Sequence, residues 1–403
     1  MKGGASILAT VVLALSATHC IAEAVQGVPD PNIPPIRAQA DIVYNSNVTA
    51  SSRALATQNG LALADQIYTP SLDVNFVRQL GLDSFSLVGQ GGYDFYQRNT
   101  ILNRERLNAQ SAFAAQLDGC QVTLQGSFSR AQSTIQNLTI ATVNDTVEDI
   151  SGGLKGVCNQ TGRLVPSVSV TQDWTTNSAL QLLTSDARST ATQGSIMYRN
   201  SPLGDISLLG QYTEAQFPHR LLPTALGLRE DGYKLYSGGL QLEHHFGSDV
   251  DFSISVSEDS LKSNSRIGPK FNGITYDSSL VYRIDTRLQA RLGFSRKTNP
   301  SNLLNASYSI AQAYSAEADY HLTSRLLSTL GASQTRSDLN GFALVPGVDL
   351  TRESVKSFFG TLRFDITPLL SVNLTANQDQ RHADVIGYTY ASTRFGLSIS
   401  QAF

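Results

Sequence analysis

Residues 385 to 403 read Val385-Ile-Gly-Tyr-Thr-Tyr-Ala-Ser-Thr-Arg-Phe-Gly-Leu-Ser-Ile-Ser-Gln-Ala-Phe403, and the chain stops on that aromatic. Phe395, Leu397 and Ile399 fall on one side of an extended strand, while Arg394, Gly396, Ser398 and Ser400 fall on the other. Side chains of a strand alternate between faces, so this stretch has one apolar face and one polar face.

The same alternation recurs upstream, from about residue 70 onward. Phe85, Leu87, Tyr93 and Phe95 oppose Ser86, Gln90 and Asp94; Val122, Leu124 and Phe128 oppose Thr123, Gln125 and Ser127. Phe252, Ile254 and Val256 oppose Asp251, Ser253 and Ser255; Phe358, Leu362 and Phe364 oppose Ser357, Thr361 and Arg363. Helical periodicity is almost absent, so the pattern predicts an all-β chain. The connections alternate in length. Short turns are expected at 80–83, 117–120, 159–162, 201–204, 247–249, 284–287, 322–325 and 367–368. Longer polar loops are expected at 132–146, 176–184, 216–230, 259–270, 297–303, 336–350 and 380–385. A transmembrane β-barrel has this asymmetry, with short periplasmic turns and longer outside loops. Counting back from a periplasmic C-terminus gives about 17 strands from residue 71. Asp41 to Val48 supplies one more, so 18 antiparallel strands are expected, with 16 as the alternative. Ser/Ala-rich residues 50–66 would form the first outside loop, and Pro166, inside a predicted strand, should mark a bulge.

The start of the chain fits export. Lys2 precedes the apolar run Ile7 to Ala17, and Ala22-Glu23-Ala24 is a small-x-small cleavage site. Residues 1–24 are read as a signal peptide, 25–40 as a Pro-rich periplasmic segment and 41–403 as the barrel. Charged residues make up 16% of the 403, against roughly 25% in soluble domains, and net charge is −3. That composition carries no basic footprint for nucleic acid. No later apolar run reaches the roughly 20 residues of a spanning helix, so outer-membrane lipid would be met by strands.

The terminal strand resembles the last strand of bacterial outer-membrane β-barrels, in which a C-terminal aromatic, here Phe403, is implied to be read by the barrel-assembly machinery. The opening Asp41 to Asn47 and the hairpin from Gly92-Tyr93-Asp94-Phe95 to Arg104-Glu105-Arg106-Leu107 resemble β-barrel porins often encoded in exopolysaccharide gene clusters. That resemblance implies a cell outer-membrane location and a conduit for exopolysaccharide export, with periplasmic export components as partners. The alternative is a general porin for small solutes. It supplies no catalytic residues and no cofactor.

The residues add little chemistry of their own. His219 and His382 lie on predicted outside loops near acids, a pairing common by chance, so no enzyme is read here. His244 and His245 are adjacent and face opposite ways, so no shared metal is expected. The polar parity is more informative. It places Arg106, Gln110, Gln125, Gln241, Glu243, Arg283, Arg291, Glu317, Asp319, Arg363, Asp365 and Arg394 in the lumen. Both signs are mixed with amides and hydroxyls; a single-sign ring would have pointed to ion selectivity. These groups either brace the wall by solvating one another or line a path for a hydroxyl-rich polysaccharide or small solute.

Cys120 and Cys158 sit on neighbouring antiparallel strands. A register of summed number 278 sets them opposite, with Leu124 facing Leu154 and Phe128 facing Ile150. A slip by one residue would turn apolar side chains into the pore. Directly opposed residues lie within disulfide range, so a Cys120–Cys158 bond is expected.

Overall fold

The computed structural model describes residues 35–133, 145–201, 203–224, 227–264, 270–300, 308–340 and 350–403. Residues 1–24, expected to be a signal peptide, and most of the expected Pro-rich segment lie outside the described residues. Eighteen strands follow one another, each sequential pair antiparallel. They are β1 (Ile36–Asn45), β2 (Asp65–Leu80), β3 (Asp83–Tyr96), β4 (Arg104–Leu117), β5 (Cys120–Gln132) and β6 (Thr146–Cys158). Then come β7 (Leu164–Asn177), β8 (Ala187–Ser201), β9 (Gly204–Thr224), β10 (Gly227–Phe246), β11 (Val250–Ser263) and β12 (Phe271–Arg283). The last six are β13 (Leu288–Pro300), β14 (Tyr308–Thr323), β15 (Leu326–Asn340), β16 (Arg352–Asp365), β17 (Leu370–Ala383) and β18 (Tyr390–Ala402). β1 pairs with both β2 and β18, so the sheet closes on itself and no edge remains. The expected count of 18 holds, and the 16-strand alternative is set aside.

Closure is completed by the end of the chain. Phe403 N–H donates to the Ile36 carbonyl at 2.9 Å, so a backbone bond ties the end of the last strand to the start of the first. The β5–β6 ladder runs at the summed number read from sequence, with Cys120 facing Cys158, Leu124 facing Leu154 and Phe128 facing Ile150. The two sulfurs are bonded, across a Cα separation of 3.9 Å.

One parity of side chains is apolar and exposed all round the wall. Leu124, Leu154, Val168, Leu208, Leu240, Leu330 and Leu374 are each more than half exposed. In water such a surface would be unstable; against lipid it is the favourable arrangement. Along β10, Tyr236 and Phe246 bracket Leu240 and Leu242 on this face. Ten residues at about 3.3 Å rise, tilted by roughly 40°, climb about 25 Å, the height of an outer-membrane apolar band with its aromatic girdles.

Turns on one end are tight. Asp118 and Gly119 both have positive φ, 35° and 84°, as a two-residue hairpin matching the strand twist requires. At the 284–287 turn, Asp285 accepts from Arg287 and Leu288 N–H, each at 2.7 Å, which holds its carboxyl below the usual range. The other end carries the long connections. The first contains a helix, α1 (Arg53–Gln58), whose start is capped by the Ser52 side chain accepting from Leu55 N–H.

Three sequence expectations need correction. β1 begins at Ile36, so residues 36–40 belong to the barrel and not to the Pro-rich segment. Pro166 makes no bulge: it lies one residue beyond the β6–β7 ladder, which ends at Val157–Ser167, where no ladder hydrogen bond is asked of it. Residues 216–230 are not a polar loop. β9 and β10, of 21 and 20 residues, continue past their neighbours as a two-stranded arm with a register shift between Glu230 and Asp231.

Candidate pore and its outer mouth

The inward parity is polar, and its charges are arranged as local sets rather than rings. On β3–β4, Arg106 bonds Asp94 at 2.8 Å, and Asp94 also accepts from the Thr69 hydroxyl at 2.6 Å. On β10–β12, Arg283 and His245 meet on Asp251, each at 2.6 Å. Arg291 bridges Glu317 and Asp319 on β14, and Asp319 accepts from Thr329 at 2.7 Å. Arg363 holds Asp365 at 2.9 Å, and Arg394 holds Asp379, which also accepts from Ser357. Gln241 donates to Glu243 at 2.6 Å. Gln125 lies over Gly153 on the neighbouring strand, where a Cβ would meet its amide nitrogen at 2.9 Å. Gln110 is exposed on the inward parity of β4. All twelve lumen residues named from sequence thus sit on the inward parity, in scattered groups.

A second set is acidic and is held by hydrogen bonds, with Arg37 opposite Asp73 as its one facing cation among the described residues. Asp41 accepts from Gln39 at 2.9 Å, Asp149 from Thr175 at 2.6 Å, and Asp173 from Ser151 at 2.6 Å. Together with Asp73 they line the β1–β7 side, and among the described residues none of the four forms an ion pair. Parity alone would have placed these four inward; it could not have shown that an amide or a hydroxyl is the hydrogen-bond partner of Asp41, Asp149 and Asp173.

Toward the long-loop end the inward side chains become buried. On β10 the series passes from half-buried Glu243 and Gln241 to Leu235, Tyr233 and Asp231, the last two about 1% exposed. Phe217, Tyr233, Leu261 and Tyr308 form one apolar cluster, and Arg220 stacks on Phe217 at 4.0 Å beside its partner Asp231. Leu102 and Leu182 form a second with Leu61 and Tyr96; Leu339, Leu350, Ala383 and Tyr388 form a third. Burial pushes the Tyr388 hydroxyl above its usual range, so that ring is neutral where it packs.

Hydrogen bonds tie these loops into one layer. Ser52 N–H donates to the Gly387 carbonyl and Asn47 donates to the Ala391 carbonyl, linking the first connection to the last. Asn99 exchanges two bonds with Ala62, and Asp65 accepts from Arg98 and Asn99 N–H. Asp145 accepts from Ser178 and Ala179. The arrangement is a polar tube whose long-loop end carries a hydrogen-bonded layer of loops that narrows it. Among the described residues no group of three or more His, Cys, Asp or Glu is placed to hold a metal ion.

Residues 236–403 match the model of a family described as "Putative beta-barrel porin 2". No curated protein matches the chain. Among solved structures, a BenF-like porin from Pseudomonas fluorescens Pf-5 is similar at TM-score 0.49 and 12% identity, over 93% of this chain and 99% of that one. OccK2 (OpdF) of Pseudomonas aeruginosa, solved in complex with glucuronate, is similar at TM-score 0.48 and 12% identity, over 92% and 98% of the two chains. The siderophore receptor PirA of Pseudomonas aeruginosa is similar at TM-score 0.44 and 9% identity, over 92% and 80%.

Proposed function

We propose that this porin-type outer-membrane β-barrel is a passive conduit for hydroxyl-rich glycan and serves exopolysaccharide secretion. The observation that carries the reading is the partnering of the inner wall. Asp149 and Asp173 already accept from Thr175 and Ser151 hydroxyls. A sugar hydroxyl can replace a protein hydroxyl one for one, so a glycan slides past without a charge having to be desolvated. Arg106, Arg283, Arg291, Arg363 and Arg394, by contrast, are each ion-paired to a carboxylate on the wall, so they offer a passing anion little. Resemblance to porins of exopolysaccharide gene clusters supports the direction, as an association and not a physical warrant. Periplasmic export components would deliver the chain, and the barrel-assembly machinery would read Phe403.

Diffusion of small solutes is the second reading, and the buried outer mouth favours it. Deleting the gene separates the two. Export predicts loss of surface polysaccharide with unchanged uptake of small sugars, restored by the intact gene. Normal polysaccharide with slowed sugar uptake would overturn export in favour of diffusion.

A further inference from the structure

The outward parity at the long-loop end of β15–β17 carries a cluster that neither the lumen nor the lipid band accounts for. Phe358, 54% exposed, ends the apolar band on β16; Lys356 and Ser354 are the next two outward residues toward the loops. The ladders set Ser354 opposite Arg336 on one side and His382 on the other, and Lys356 opposite Gln380. Opposed residues are about 5 Å apart and same-face neighbours along a strand about 7 Å, so three basic groups surround one hydroxyl. A surface cavity of about 410 Å³ lies on the β17–β18 side of Ser354, lined by Ser354, Lys356, Gln380, Arg381, His382 and Tyr390 among others, with Arg336 facing Ser354 from the β15 side.

The charge is not neutralised by the described residues. Among the described residues, no carboxylate lies within ion-pair reach of Arg336, Lys356 or His382, and the nearby Asp338 is held by Arg352 at 3.0 Å. The contrast on β4–β6 is direct: there the outward Arg130 is flanked by Glu105 at 3.0 Å and Glu148 at 3.4 Å. Farther round the rim Lys234 and Lys262 oppose each other in the β10–β11 ladder; among the described residues Lys234 reaches a carboxylate, Glu214, at 3.9 Å, while Lys262 lies over the Tyr236 ring at 5.6 Å. Like charges in that position are destabilising unless an anion lies between them.

We propose that the Arg336, Lys356 and His382 cluster binds the phosphate of an outer-leaflet glycolipid headgroup. Its height fits, because it starts where the apolar band stops, so acyl chains lie along the outward leucines while the headgroup reaches the cavity. Its chemistry fits, because a guanidinium and an ammonium match phosphate oxygens and Ser354 and Gln380 match glycan hydroxyls. Basic pockets at the membrane surface bind anionic headgroups in this way.

The test uses purified full-length protein in detergent, with diphosphoryl lipid A as probe and native mass spectrometry as readout. The R336Q/K356Q variant should bind about 30-fold more weakly and K356Q alone about fivefold, while R53Q on α1 is unchanged. Heat-modified gel mobility shows that each variant has a folded barrel, and K356Q carries the test should the double variant not fold. Unchanged affinity in folded K356Q would overturn the proposal. So would equal binding of the dephosphorylated glycolipid, or displacement by inorganic phosphate at concentrations matching the lipid, which would mark a free-phosphate site.

Discussion

Arg381 and Glu353 are ion-paired with each side chain only 3% exposed, and Arg381 also faces the Tyr388 ring at 5.5 Å. Removing one partner leaves the other charge buried, so Arg381→Ala should cost about 3–5 kcal/mol, read as a lower unfolding temperature in detergent. Replacing both by apolar residues of similar size should recover most of that loss; a variant as stable as the parent after Arg381→Ala alone would contradict the pairing. For Cys120 and Cys158, peptide mapping of non-reduced protein should find the two joined, and Cys120→Ser should destabilise by about 2–4 kcal/mol. Free alkylatable thiols at both positions would refute the bond. The cysteine pair was legible because two parities and one turn fix a single register. Arg381–Glu353 was not, because Arg381 stands opposite Val355 and reaches Glu353 on the diagonal, which no face assignment specifies.

Strands were legible wherever alternation was uninterrupted, and β10 offers a clean check. Leu240 faces lipid and Gln241 the lumen, midway between Tyr236 and Phe246. Leu240→Arg should cost about 2–4 kcal/mol, while Gln241→Arg should be nearly neutral. Equal costs, measured by reversible unfolding in lipid, would refute the assignment of faces. The β9–β10 arm was not legible, because Pro218 and Pro223 are residue types that central strands exclude. Beyond Arg188–Gln216, β9 has no β8 partner, so prolines there leave no β8 ladder bond unmade. The start of β1 was not legible for a related reason: Pro34 and Pro35 extend the Pro-rich composition to the edge of the strand, and the expected boundary falls five residues late, although Ile36, Ala38, Ala40 and Ile42 already alternate. Orientation is tested by labelling intact cells. Reagents should reach α1 and not the 324–325 turn, and the reverse pattern would invert the barrel.

At the scale of the whole molecule, closure and polarity were legible, because eighteen half-polar strands with alternating connections have few other ways to bury their backbone. The narrowed mouth was not, since it arises from loop side chains distant in sequence, such as Ser52 with Gly387 and Leu102 with Leu182. The central claim is a polar conduit with paired charges and a surplus of hydroxyl-bonded carboxylates. Planar-bilayer recording of the full-length protein under a salt gradient tests it most directly. The account predicts a small conductance that grows when residues 218–230 are removed, with a reversal potential near zero and displaced slightly toward cations. A reversal potential near the limit for a single ion, or silence with and without that arm, would contradict it.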